Sequence, residues 1–198
     1  MVAIQYFFSV LSPFAYLAGS RLESLAAKHG ASVVYKPMNI AEVFGATGGT
    51  PPKDRHPSRQ SYRLEDLERT ARFHDMAIHL QPAHWPVDPK PASVAIIAAQ
   101  DAGFSVGVLS HAVLRAVWAE EKDISDPATV DGILEANGVA PSAVADHLDA
   151  AAAQFAANTA EAIELGVFGA PTYVLDGLRF WGGDRLPHLD QHLAQRTG

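Results

Sequence analysis

Strand signals are confined to the two ends of this chain of 198 residues, and residues 46 to 165 carry none. That separation limits the fold more than any other feature. At the N-terminal end, Val2 to Phe8 is an apolar run in which Gln5 is the one strongly polar residue, the pattern of a strand buried on both faces. Ser12-Pro13 then predicts a helix start. The serine oxygen can accept from an early orphan N–H, and proline fits the first turn without losing a bond. Phe14, Leu17, Ala18, Leu22 and Leu25 share one stripe at helical spacing, and Gly30 ends the helix. With a second strand at Ser32 to Lys36, this is a β-α-β unit, which implies a parallel pair with the helix packed across it.

The C-terminal end reads differently. Thr172 to Leu175 and Leu178 to Trp181 are short apolar runs joined by Asp176-Gly177, a strong hairpin signal. Gly182-Gly183-Asp184 opens a last helix packed through Leu186, Leu189 and Leu193, with Asp184 as its expected N-cap. Between the ends, Gly48, Gly49, Pro51, Pro52 and Pro57 mark an irregular stretch, interrupted by a charged helix at Gln60 to Met76. Further helices are expected at Ala92–Ala102, Val106–Trp118, Ala128–Ala136 and Pro141–Leu165, the last burying Val144, Leu148, Phe155 and Ile163 on one face. The fold class that follows is α/β: a thioredoxin-like fold split by an all-α inserted domain. Residues 1–45 and 166–198 form the thioredoxin-like part, and 46–165 the insertion.

Composition removes several functions. With no cysteine, the chain has no disulfide, no thiolate metal site and no protein thiol for redox work. A net charge of −7 argues against a nucleic-acid partner, whose affinity comes from neutralised phosphates. No apolar run approaches the ~18 residues of a membrane span, and no basic segment precedes the first apolar run, so a cytoplasmic location with no membrane partner is expected. No metal is expected either. His188 and His192 are four apart but flank an apolar stripe without further ligands at suggestive spacing.

Three motifs remain. Ser12-Pro13-Phe14-Ala15 stands where thioredoxin-like enzymes carry their C-x-x-C pair, with serine and alanine in place of both sulfurs. By itself Ser12 reads as a helix cap. Gly169-Ala170-Pro171-Thr172 places a proline at the entry of a strand; an X-Pro bond is usually trans, but in this topology the proline is cis and faces the start of the first helix. The third motif is Trp181-Gly182-Gly183-Asp184-Arg185-Leu186. In this order and at these separations, the three motifs resemble the 2-hydroxychromene-2-carboxylate isomerase family, relatives of kappa-class glutathione transferases and DsbA-type oxidoreductases, over essentially the whole chain.

The resemblance implies glutathione as cofactor, a small aromatic carboxylate as substrate and a homodimer. It places Ser12 at the glutathione sulfur as the catalytic residue. Ala170 and Pro171 would meet the cysteinyl backbone, and Gly183 and Asp184 the γ-glutamyl end. Thr50 and Arg59 match the polar residue and lysine that the family draws from its inserted segment, with Lys53 competing. Relatives carry asparagine or serine where this chain has Gly183, so contact there is main-chain only. The substrate carboxylate needs a cation, for which Lys53, Arg55, Arg59 and Arg63 are candidates, and its ring an apolar wall, for which Phe14, Tyr16 and Trp85 are candidates. A free thiol with a pKa of about 8.5 is only about 3% thiolate at pH 7. A helix N-terminus and a donating hydroxyl, at about 1.5–3 kcal/mol for the latter, would bring a bound thiol to about pKa 6–7. Thiolate addition, bond rotation and elimination would then isomerise the substrate. Two other functions fit the same residues: an irreversible transferase, and a redox-inactive binding module.

Overall fold

A four-stranded sheet of order β2-β1-β3-β4 organises the computed structural model, which describes residues 2–196. Met1, Thr197 and Gly198, the extremes of the two expected terminal segments, lie outside the described residues. β1 (Ala3–Phe8) pairs in parallel with β2 (Ser32–Pro37) and antiparallel with β3 (Thr172–Leu175), which forms a hairpin with β4 (Leu178–Trp181). The hairpin turn is Asp176-Gly177, both at positive φ (53° and 74°), as a tight two-residue connection requires. This is the thioredoxin-like α/β fold with helices inserted between its halves.

Alternation along the strands buries both faces of the sheet. Ile4, Tyr6 and Phe8 of β1, with Tyr173 and Leu175 of β3, join a cluster containing Leu22 and Leu25 of α2 (Arg21–Lys28) and Leu189 of α10 (Leu186–Gln195). On the opposite face Phe7 and Val174 pack with Met38, Val43 and Ala162. Gln5 reaches the same side, where its amide donates to Glu161 (2.9 Å) and Lys36 pairs with that carboxylate too. The polar residue in the first strand therefore ties the sheet to α9 (Leu148–Glu164). The inserted helices α5 (Lys90–Asp101), α6 (Gly107–Trp118) and α7 (Pro127–Ala136) add Ile96 and Ile97, Leu114 and Trp118, and Ile133 and Leu134 to the first cluster, so one apolar core runs from the sheet into the insertion.

Several expected elements differ. The first helix stops at Ala18, as α1 (Pro13–Ala18), because Gly19 turns left-handed (φ 55°); α2 starts afresh at Arg21. α3 (Ile40–Thr47), absent from the expectation, is capped by Asn39, whose oxygen accepts from the Ala41 N–H at 3.1 Å. It crosses the expected boundary at residue 45. α4 spans Pro57–Phe73 rather than 60–76, since His56 caps it and Asp75, at φ 52°, follows its end. The helix expected over 141–165 is broken: α8 (Pro141–Val144) gives way to a 3-10 turn before α9, and the phase change leaves Leu148 exposed. Asp184 caps nothing: it sits in a 3-10 turn at Gly183–Arg185, and its carboxylate pairs with Arg185 instead (2.9 Å).

Candidate active site

Ser12 occupies the junction of β1 and α1, with its N–H tied to the Ser9 carbonyl (2.9 Å). Its hydroxyl oxygen accepts from the Ala15 N–H (3.2 Å), so the helix-cap reading holds, and its proton goes to the Ala170 carbonyl (3.1 Å). Cap and site are thus the same atom. Ala170 belongs to the turn that enters β3, where Thr172 Oγ1 donates to the Gly169 carbonyl (2.8 Å) and the Gly182 N–H donates to the Pro171 carbonyl (2.9 Å). The Ala170–Pro171 bond is cis, as the topology implied. The Ala170 N–H has no acceptor among the described residues, leaving a short piece of main chain open beside Ser12. Pro171 itself is buried and shapes the turn rather than lining a surface.

From this point a groove of about 1040 Å³ runs between α1, the length of α4 and the loop after β4. That is the upper end of small-molecule sites and gives room for two small ligands side by side. Phe14, Ala170, Gly183, Asp184 and Arg59 line it; Thr50, Lys53, Tyr16, Trp85 and Pro171 do not, and Ser12 is buried just behind the lining, reaching it through its bond to Ala170. Thr50 instead offers its carbonyl to Arg55 Nε (2.8 Å), and Lys53 lends its carbonyl to Gln60 (3.1 Å). Both are scaffolding for the cationic face. Tyr16 is a core residue: its hydroxyl donates to the Ala77 carbonyl at 2.6 Å, and burial raises its pKa. Trp85 stands behind the groove, its Nε1 donating to the Leu11 carbonyl (3.1 Å) and its face under the Arg63 guanidinium (5.3 Å). It therefore braces the chain entering Ser12.

The groove is cationic despite the acidic chain. Arg69 is paired with Asp66 and Arg185 with Asp184, but Arg21, Arg55, Arg59 and Arg63 have no carboxylate partner among the described residues. Arg59 and Arg63, four apart on α4, share a helix face with Arg55 just before it. Burial lowers the pKa of Arg55 and Arg63, and the neighbouring arginine charge adds to it in each case. A partly desolvated, mutually repelling set of guanidinium groups is suited to an anion.

Two residues not assigned a role from sequence complete the site. Arg21 folds back on α1, giving hydrogen bonds to the Leu17 and Ala18 carbonyls (3.0 and 2.8 Å). A Cβ on Gly183 would lie 3.1 Å from Arg21 Nη2 and 3.3 Å from Ala18 Cβ, so the glycine allows the loop to approach α1 closely. Trp181 packs edge-on against Phe168 (4.7 Å) at the mouth, and a Cβ on Gly169 would collide with its indole at 2.4 Å. A lone arginine is a common surface residue and gave no signal, while Trp181 headed the third motif without being given a role in the site. Elsewhere, His192 is bonded to Asp176 (3.0 Å), and the described residues contain no group of three or more His, Asp or Glu placed for a metal. No helix among them is long and apolar enough to cross a membrane.

The DSBA-like thioredoxin domain matches residues 3–194 of the chain. The 2-hydroxychromene-2-carboxylate isomerase of Pseudomonas sp. (strain C18) is 32% identical over 196 residues, covering 96% of this chain and 89% of that protein. The enzyme of the same name from Sphingobium xenophagum is 28% identical over 193 residues, covering 96% and 97%. A solved structure of a 2-hydroxychromene-2-carboxylate isomerase, 28% identical, superposes with a TM-score of 0.77 over 98% of this chain and 96% of that one.

Proposed function

Because this chain belongs to the DSBA-like thioredoxin domain family, and with it to the 2-hydroxychromene-2-carboxylate isomerases, we propose that it is a glutathione-dependent isomerase acting on 2-hydroxychromene-2-carboxylate or a related ring-opened aromatic carboxylate. One observation carries the reading. In a chain without cysteine, a serine hydroxyl bonds to Ala170, whose main chain lines a groove in which the charged side chains without an ion-pair partner are, among the described residues, arginines.

The residues present fit glutathione, which has two carboxylates, one ammonium and an extended cysteinyl unit. The open Ala170 main chain can pair with that unit as a strand edge does. Asp184, its side chain 71% exposed at the groove wall, is the carboxylate for the ammonium. Arg59, with Arg55 beside it, is placed for a carboxylate in charge-assisted hydrogen bonds. When bound, glutathione supplies a sulfur nucleophile that adds reversibly to a conjugated double bond and so lets it rotate. Ser12 supplies a hydrogen bond to the sulfur in its anionic form and keeps its own proton throughout. Its role is therefore to stabilise charge where the reaction needs it. α1 has only six residues, so its dipole contributes less than a long helix would, and more of the task falls on the hydroxyl.

Arg63, held against Trp85 and without a carboxylate partner among the described residues, is placed for the substrate's carboxylate, with Phe14 as the apolar wall. The test is turnover of 2-hydroxychromene-2-carboxylate by the purified protein with and without glutathione. The expected result is isomerisation only with glutathione, which is recovered unconsumed. Stoichiometric consumption of glutathione would identify a transferase instead. Absence of both turnover and glutathione binding would leave a redox-inactive binding module.

A further inference from the structure

The single proton of the Ser12 hydroxyl is already committed. A serine hydroxyl has one O–H and two lone pairs. One lone pair accepts from the Ala15 N–H at 3.2 Å, and the proton points to the Ala170 carbonyl at 3.1 Å. Ala15 is fully buried, so its N–H cannot turn to water and holds the oxygen in place. What remains free is rotation of the O–H about the Cβ–Oγ bond. To serve a thiolate the proton must leave the Ala170 carbonyl, and leaving a partly buried carbonyl without a donor is unfavourable. A simple thiol offers no replacement: turning the hydroxyl toward its sulfur would form one hydrogen bond and break another.

We propose that Ala170 is a specificity-determining group, whose carbonyl releases the Ser12 proton only to a thiol ligand that brings an amide N–H of its own. The inference rests on the glutathione reading of this site. A cysteinyl residue in peptide linkage carries such an N–H three bonds from its sulfur. Pairing that N–H with the Ala170 carbonyl replaces the serine donor in the same step that brings the sulfur to Ser12. The bonds then balance: the ligand N–H takes the carbonyl, the Ser12 O–H turns to the sulfur, and the thiol's own proton leaves to solvent. The site thus ionises peptide-linked cysteinyl thiols and leaves protonated those thiols that carry no donor of their own, such as ethanethiol. Selectivity comes from an exchange of donors at one carbonyl and needs no bulky gate.

The experiment follows the thiolate ultraviolet band as a function of pH, with the full chain saturated either by glutathione or by its analogue in which an ester oxygen replaces the γ-glutamyl–cysteine N–H. Each midpoint is compared with that of the same thiol free in solution. Glutathione should show a downward shift about one to two units larger than the ester's, and Ser12→Ala should remove that difference by acting on glutathione alone. Equal shifts for the two ligands would overturn the donor exchange while leaving the glutathione reading intact. A glutathione midpoint equal to its free value would bring down both. If the ester does not saturate the site, a crystal structure of the glutathione complex decides. The exchange requires Ser12 Oγ on the sulfur and the ligand N–H on the Ala170 carbonyl, and a hydroxyl still bonded to Ala170 refutes it.

Discussion

Ser12→Ala separates the two tasks of one oxygen. The variant loses the acceptor for the Ala15 N–H, which is buried at the start of a six-residue helix, and the donor to the Ala170 carbonyl. Loss of a serine cap costs about 0.5–2 kcal/mol. For a chain of this size each kcal/mol lowers the melting temperature by about 2–4 °C, so a fall of roughly 1–8 °C is expected. The effect on chemistry is larger. A charge-assisted hydrogen bond contributes about 1.5–3 kcal/mol, which corresponds to a rise of about one to two units in the pKa of the bound thiol. From about pKa 6–7, that rise reduces the thiolate fraction at pH 7 by roughly tenfold, and turnover falls with it. Raising the pH toward the new thiol pKa should restore much of the rate, because the groove contacts still place the sulfur. The assay is turnover against pH at saturating glutathione, on protein shown to be folded by its melting curve. If turnover falls only in proportion to unfolded protein, with the pH profile unmoved, Ser12 is a cap and nothing more.

Asp184→Ala should weaken glutathione binding by up to about fivefold in calorimetry, a small effect because the carboxylate is exposed and screened; unchanged affinity would remove it from the site. Arg63→Gln should raise KM for an aromatic carboxylate about tenfold or more, following the loss of a charge-assisted bond, while leaving glutathione affinity near wild type. A matching loss of glutathione affinity would reassign Arg63 to the cofactor. Tyr35→Phe tests the polar tie between β2, α2 and α6, where the Tyr35 hydroxyl donates to Glu23 (2.5 Å) and His111 approaches the same oxygen (3.2 Å). Burial pushes the Glu23 pKa up, but the hydrogen bonds from His111 and Tyr35 outweigh it and hold the carboxyl below its ordinary value. Its stabilisation is then present in full above the unfolded value of about 4.3 and lost as the pH falls through the lower folded value. The variant should lose about 1.5–3 kcal/mol at pH 7 in denaturant titration, with the gap narrowing below about pH 4; a gap independent of pH would contradict this.

The parts of the fold that were legible in the sequence are those where one local signal decides the backbone. Asp176-Gly177 demanded two positive φ values, and Ser12-Pro13 left little choice but a helix start. α3 carried a readable signal that the expected boundaries leave out: Asn39 and Glu42 have the spacing of a capping box, and their side chains bond at 2.6 Å. The break between α1 and α2 was hidden because Leu22 and Leu25 return to the same core after the turn at Gly19, so the apolar stripe runs through it. At the site, Ser12 stands at the helix start and Ala170 at the strand entry that their motifs predicted, whereas Gly183 and Asp184 lie in a 3-10 turn ahead of α10 and not at its cap. Thr50 and Lys53 were harder, since a loop that folds to present Arg55 uses its neighbours' carbonyls rather than their side chains. Arg59 and Arg63 declared a shared face by spacing alone, but only packing against Trp85 shows which way Arg63 is held.

The central claim is that this groove binds glutathione and ionises its thiol, and proton release on binding measures both at once. Calorimetric titration of glutathione into the protein at pH 7, repeated in buffers of different ionisation enthalpy, gives the number of protons released per ligand bound. A thiol about 3% ionised when free and bound at about pKa 6–7 should release roughly 0.5–0.9 proton. Ser12→Ala should release far less and, by linkage, bind several-fold more weakly at pH 7. Binding with no proton release in the wild-type protein would contradict the account, because the thiol would then remain neutral beside Ser12.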